Sequence, residues 1–150
     1  MAGGWAIAQM CDLRLAAAEA MLGISEARWS LLPPFAAALT KLIPMAHVLE
    51  LVFTAEPITA KRAYEIGFVN KVVPKERLLE EAMALGQKLV ANAPLSLRHF
   101  KELAYRSVDM SESATAALTM RLYDQLLLSG DAKEGPQAFA EKRPPQWQGR

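Results

Sequence analysis

The chain has 150 residues, enough for one modest domain with its own core. Hydrophobic residues make up 52%, charged residues 22%, and the formal net charge is +1. That balance excludes a nucleic-acid or anionic-membrane partner recruited by bulk charge. Cys11 is the single cysteine, so an intrachain disulfide is excluded and a reducing compartment fits. No apolar run approaches the ~20 residues that span a bilayer. The short apolar run at residues 5–11 has no basic lead-in, unlike a signal peptide, so the expected location is the cytoplasm. The chain starts Met1-Ala2-Gly3-Gly4 and enters that apolar run at once, as though cut from a longer sequence.

Ala6, Ile7, Met10 and Cys11 recur at roughly helical spacing and predict a short helix over residues 4–11. Residues 13–16 alternate and predict a strand, and residues 21–24 a second. Pro33-Pro34 breaks the chain, a helix follows over residues 36–43, and Pro44 separates it from another over 45–53. Thr59 is a suitable N-cap and Gly67 a suitable stop for a helix over residues 60–66. The β-branched run at residues 69–73, closed by Pro74, predicts a third strand. Beyond it the chain reads as wholly helical. Leu78, Ala82, Leu85 and Leu89 mark one face of a long helix. Pro94 opens another to about residue 106, and Ser111 caps a third to about residue 128. Asp131 with Glu134 forms a capping-box-like pair for a last helix to about residue 142, stopped by Pro144-Pro145. Three short strands do not make a self-sufficient sheet, which suggests the last turns of a larger one.

Four stretches together resemble the crotonase, or enoyl-CoA hydratase/isomerase, family. They are residues 2–14 (AGGWAIAQMCDLR), 22–26 (LGISE), the block from Thr54 to Pro74, and residues 131–143 (DAKEGPQAFAEKR). The last of these is similar to the family's Asp-x-x-Glu-Gly…Ala-Phe-x-Glu-Lys-Arg signature. The match runs along the whole chain and corresponds to the C-terminal half of the family pattern. It implies an α/β fold: the end of a ββα spiral over residues 1–73, then a helix-rich trimerisation region over 74–150.

The resemblance also implies a function, namely acid/base chemistry on acyl-CoA thioesters. Gly3 matches a position whose backbone N–H helps hold the thioester oxygen, where charge builds as an enolate forms. Glu26 matches a catalytic glutamate that moves a proton at the carbon beside the thioester. The competing readings are a plain turn at Gly3-Gly4 and a solvated Glu26 paired with Arg28. Phe139 and Lys142 match positions near the CoA nucleotide of a neighbouring subunit. Their competing readings are a core aromatic and a solvated charge. The family's second glutamate is replaced by Ala6, and Pro33-Pro34-Phe35-Ala36-Ala37-Ala38 replaces a glycine-rich turn. Both departures favour a single-base proton shift over addition of water.

The implied partners are an acyl-CoA substrate and identical subunits in a homotrimer or hexamer, with no nucleic acid or membrane. No cofactor is implied beyond CoA as part of the substrate. The second oxyanion donor belongs to the family's N-terminal half, so these residues are expected to supply an incomplete site. The alternative is a non-catalytic homologue acting as a subunit or association module. His47, His99 and Cys11 lack metal-ligand spacing. Cys11 is expected to be buried, and Trp5, Trp29 and Trp147 to serve packing.

Overall fold

The computed structural model describes residues 3–150, and it divides into two compact units, one ending at Ala84 and the other Leu85–Arg150. Met1 and Ala2, the first residues of the glycine-turn stretch, lie outside the described residues.

The first unit begins with helix α1 (Gly3–Gln9), followed by strands β1 (Leu15–Ala17) and β2 (Met21–Leu22). A 3-10 turn, Glu26–Trp29, leads to the short helix α2 (Ala36–Leu39) and to α3 (Met45–Thr54). Strand β3 (Ile58–Thr59) runs into α4 (Ala60–Glu65), and β4 (Lys71–Val73) comes before a second 3-10 turn, Lys75–Arg77. β1 pairs in parallel with β4, placing Ala16 opposite Val72, and β2 pairs antiparallel with β3, placing Leu22 opposite Ile58. The sequence suggested three strands here. The fourth, β3, is two residues long and offers no alternation to read. Likewise α2 ends at Leu39, where residues 40–43 continue only as turns before Pro44.

α1 is locked to this layer by one aromatic contact. Trp5, 2% exposed, stacks on the fully buried Phe68 with ring centroids 4.3 Å apart. The Arg14 guanidinium lies 4.9 Å from the Phe68 ring centre on a cation–π contact. The Arg14 backbone then exchanges hydrogen bonds with Asn70, its N–H donating to Asn70 Oδ1 and its carbonyl accepting from Asn70 N, each at 2.8 Å. Ile24, Leu39, Ile43, Val48, Leu51, Ala63 and Ile66 fill the remaining core.

α4 shows how local chemistry sets an element's ends. Thr59 Oγ1 accepts from Arg62 N at 3.1 Å, the expected N-cap. At the other end Gly67 N donates to Tyr64 O at 3.0 Å and Phe68 N to Ala63 O at 2.9 Å. Those two bonds define a Schellman turn, and Gly67 takes the left-handed φ of 83° that such a turn needs.

Helix α5 (Leu78–Val90) spans the unit boundary. The second unit continues with α6 (Pro94–Ser107), α7 (Glu112–Leu127) and α8 (Asp131–Ala140). Ser111 Oγ accepts from Ala114 N at 3.3 Å, as a cap for α7 should. α6 packs on α7, and the buried apolar residues of this unit are Leu118, Leu122 and Ala138. Phe100, Tyr105, Met120, Tyr123 and Leu128 stay more than half exposed.

Candidate functional site

Gly3 is the first residue of α1, so its N–H belongs to the first-turn donors that the helix's own bonding leaves unused. It is exposed, and a side chain built on it would meet nothing within 4 Å. The backbone at this point is therefore open to close approach. Glu26 starts the 3-10 turn that follows β2 and is partly buried. Its Oε2 is shielded from solvent and has no hydrogen-bond partner among the described residues. A carboxylate oxygen in that condition costs free energy unless another group completes it. The turn is fixed by Leu31 N donating to Glu26 O at 3.1 Å and closes on Ser30, whose φ of 56° is left-handed. Gly3 and Glu26 thus sit on different elements of the first unit.

Two further residues on α1 carry buried polar atoms: Gln9, which the sequence did not single out, and Trp5, expected there only to serve packing. Gln9 Nε2 donates to Phe35 O at 2.9 Å, tying α1 to the loop just after Pro33-Pro34. That bond fixes the amide's orientation and leaves Gln9 Oε1 buried with no partner among the described residues. Trp5 Nε1, one helical turn earlier, is also buried and has no partner among the described residues. Gln9 and Trp5 stand four apart, but no sequence signal separates such a pair from ordinary core positions.

Phe139 and Lys142 lie in the second unit, around the end of α8. Phe139 is 88% exposed, which removes the core-aromatic reading for the described chain. Lys142 follows the helix with φ of 55°. Lys142 N donates to Phe139 O at 3.2 Å and Arg143 N to Ala138 O at 3.0 Å, a second Schellman turn. In α4 the corresponding left-handed residue is Gly67. Here it is a lysine, which bears about 1 kcal/mol of backbone strain that glycine would not.

An ion pair braces this turn. Glu134 Oε1 and Oε2 accept from Arg143 Nη1 and Nη2 at 2.6 and 3.0 Å, and Oε1 also accepts from Gln146 N at 2.6 Å. Arg143 Nε reaches Glu141 Oε2 at 2.6 Å. The hydrogen bond from Arg143, reinforced by the Gln146 N–H, lowers the Glu134 pKa from 4.5 to about 2. Glu141 is also lowered, chiefly by its hydrogen bond from Gln137 and then by Arg143, and the two carboxylates raise Arg143. The capping-box reading of Asp131 and Glu134 therefore fails. Ser129 Oγ takes the cap role, accepting from Ala132 N at 3.1 Å. Asp131, 3% exposed, instead accepts from Gln148 N at 2.7 Å and Gly149 N at 2.9 Å in the tail. The helix also ends at Ala140, two residues before Lys142, because the left-handed turn stops it.

The family model described as enoyl-CoA hydratase/isomerase matches residues 1–150. The chain belongs to the enoyl-CoA hydratase/isomerase family. It is 39% identical over 152 residues to an enoyl-CoA hydratase of Mycobacterium tuberculosis, covering 100% of this chain and 57% of that protein. It is 38% identical over 155 residues to the carnitinyl-CoA dehydratase of Salmonella typhi, covering 99% of this chain and 59% of that protein. Among solved structures, an enoyl-CoA hydratase from Mycobacterium tuberculosis H37Rv superposes with a TM-score of 0.96 at 36% identity, covering 99% of this chain and 60% of that one. An enoyl-CoA hydratase/isomerase from Mycobacterium abscessus gives 0.93 at 36% identity, covering 99% and 63%. The fold is accordingly the crotonase fold, helix-rich, with few strands. The chain spans 57% and 59% of the lengths of the two curated relatives.

Cys11 is exposed at the end of α1 rather than buried. Trp29 is 73% exposed and is not a packing residue within the described chain. Trp5 is core, and Trp147 donates from Nε1 to Ala91 O at 3.0 Å. Among the described residues no helix is long and apolar enough to cross a membrane, and no three His, Cys, Asp or Glu are grouped to hold a metal ion.

Proposed function

We propose that this chain carries the acid/base carboxylate of an acyl-CoA site, Glu26, and one of the two N–H groups that hold the thioester oxygen, that of Gly3. The observation that carries the reading is the shielded, unpartnered Oε2 of Glu26. A carboxylate oxygen with no donor among the described residues is available to take the proton at the carbon beside a thioester. As the proton leaves, charge moves to the thioester oxygen, where an N–H at a helix start stabilises it. Glu26 then returns the proton to a different carbon, which shifts the double bond. Ala6 supplies no second carboxylate to hold a water, so this shift is favoured over hydration. Water addition or removal is the competing reaction, motivated by relatives named as a hydratase and a dehydratase.

In this reading the second oxyanion donor and much of the acyl pocket belong to the part of the relatives' length that these residues do not match. Phe139 and Lys142 contact adenine and phosphate of CoA bound to a neighbouring copy, through an aromatic face and a point charge. Turnover of enoyl-CoA substrates by the protein and by its Glu26→Gln variant tests the assignment. Equal rates would sink it.

A second reading, an association module without catalysis, is favoured by one feature. Between α6 and α7 an open apolar groove of about 260 Å³ is lined by His99, Phe100, Leu103, Leu122, Tyr123 and Leu126. Such a surface suits a second copy of the chain in a trimer or hexamer. Sedimentation mass with CoA titration separates the readings. A trimer without CoA affinity supports the second, and a CoA-binding monomer refutes it.

A further inference from the structure

Lys142 occupies a position where helix ends default to glycine, and the same chain uses glycine at the matching place in α4. Something must hold a lysine there. Among the described residues, the carboxylates that grip the following residue, Arg143, are Glu134, nine positions back on α8, and Glu141, and Glu134 does so with both oxygens. Its Oε1 also takes Gln146 N, so one carboxylate spans the chain on the far side of the turn. The carbonyl of Pro144 accepts from Arg143 Nη1 at 3.3 Å and closes the loop. With both ends of the turn tied to α8, Lys142 is kept left-handed and Phe139 stays outward, three positions away on the same short stretch.

We propose that Glu134 is a positioning residue: by clasping Arg143 and the Gln146 N–H, it pre-forms the turn that presents Lys142 and Phe139 to the nucleotide end of CoA. This rests on the acyl-CoA reading above. It assigns Glu134 no contact with the ligand. Pre-formation matters because an unbraced turn must be ordered as the ligand binds. Loss of this clasp acts on binding with a sign opposite to that of simple electrostatics. Glu134→Gln removes a negative charge close to where a polyanion would bind, which by charge alone tightens binding. Loss of the clasp weakens it.

The test measures CoA affinity by calorimetry for the parent, Glu134→Gln and the double variant Glu134→Gln/Lys142→Gly, with melting temperature and trypsin cleavage of the Lys142–Arg143 bond alongside. Glu134→Gln is expected to bind CoA about tenfold more weakly, the scale of ordering one long side chain and its turn on binding. Its Lys142–Arg143 bond is expected to be cut faster. In the double variant, glycine accepts the left-handed turn unaided, so the melting temperature recovers towards the parent's while CoA affinity stays low. A parent that binds no CoA overturns the acyl-CoA reading and this inference with it. A parent that binds, with Glu134→Gln binding as tightly or more tightly, overturns the inference alone.

Discussion

Replacing Asp131 by asparagine tests how the C-terminal tail is held. Asp131 is 3% exposed, and its two oxygens take Gln148 N and Gly149 N at 2.7 and 2.9 Å. Asparagine offers one oxygen and one NH₂ group. One tail N–H keeps a neutral acceptor and the other faces a donor. Hydrogen bonds to a charged group contribute ~1.5–3 kcal/mol each, so losing one and weakening the other amounts to about 2–4 kcal/mol. Other anchors remain, since Gly130 N still donates to Arg150 O at 2.8 Å and Trp147 Nε1 to Ala91 O. The loss therefore falls first on local opening of the tail rather than on global unfolding. At ~1.4 kcal/mol per decade, the Gln148 and Gly149 amides should exchange with solvent roughly thirty- to several-hundred-fold faster. Hydrogen exchange read residue by residue at neutral pH measures this directly. Unchanged exchange at both amides would show that Asp131 does not hold the tail.

Further outcomes follow from the same contacts. Phe68→Ala removes a fully buried ring and its stacking partner for Trp5, so it should destabilise the first unit by about 3–5 kcal/mol in denaturant titration. Gly67→Ala adds a Cβ that meets nothing within 4 Å but sits at φ of 83°. Its cost is then backbone strain alone, about 1 kcal/mol, seen as a lower midpoint at constant slope. The Glu134 pKa falls from 4.5 to about 2 in the folded chain, so its contribution is full above pH 4.5 and is lost as pH drops towards 2. The Trp147 fluorescence difference between the parent and Trp147→Phe should be flat from pH 8 to 5 and change in that acid window. Glu134→Gln should remove the change.

The legible parts of the fold were those with strong local chemistry. Thr59, Ser111 and Gly67 mark helix ends because one hydroxyl or one missing Cβ decides them. Two-residue strands such as β3 left no pattern to detect. Asp131 and Glu134 misled for a physical reason. A carboxylate in the first turn of a helix can serve the helix or the chain that returns over it, and only the fold brings Gln146, Gln148 and Gly149 within reach. Glu26 could be picked out by resemblance, but not the solvent-shielded state of its Oε2. The exposed Phe139 and the left-handed Lys142 were equally invisible, because a Schellman turn built on lysine departs from the glycine signal that reveals one. Gln9 Oε1 and the Trp5 N–H became visible only as buried polar atoms with no partner among the described residues.

The acid/base assignment of Glu26 is tested most directly by solvent deuterium exchange at the carbon beside the thioester of bound acyl-CoA, followed by NMR for the parent and Glu26→Gln. Removing a general base lowers such a rate ~10²–10⁴-fold, while CoA affinity should stay unchanged because the proposed nucleotide contacts lie at Phe139 and Lys142. Exchange at the parent rate in Glu26→Gln, with the acyl-CoA still bound, would contradict the account.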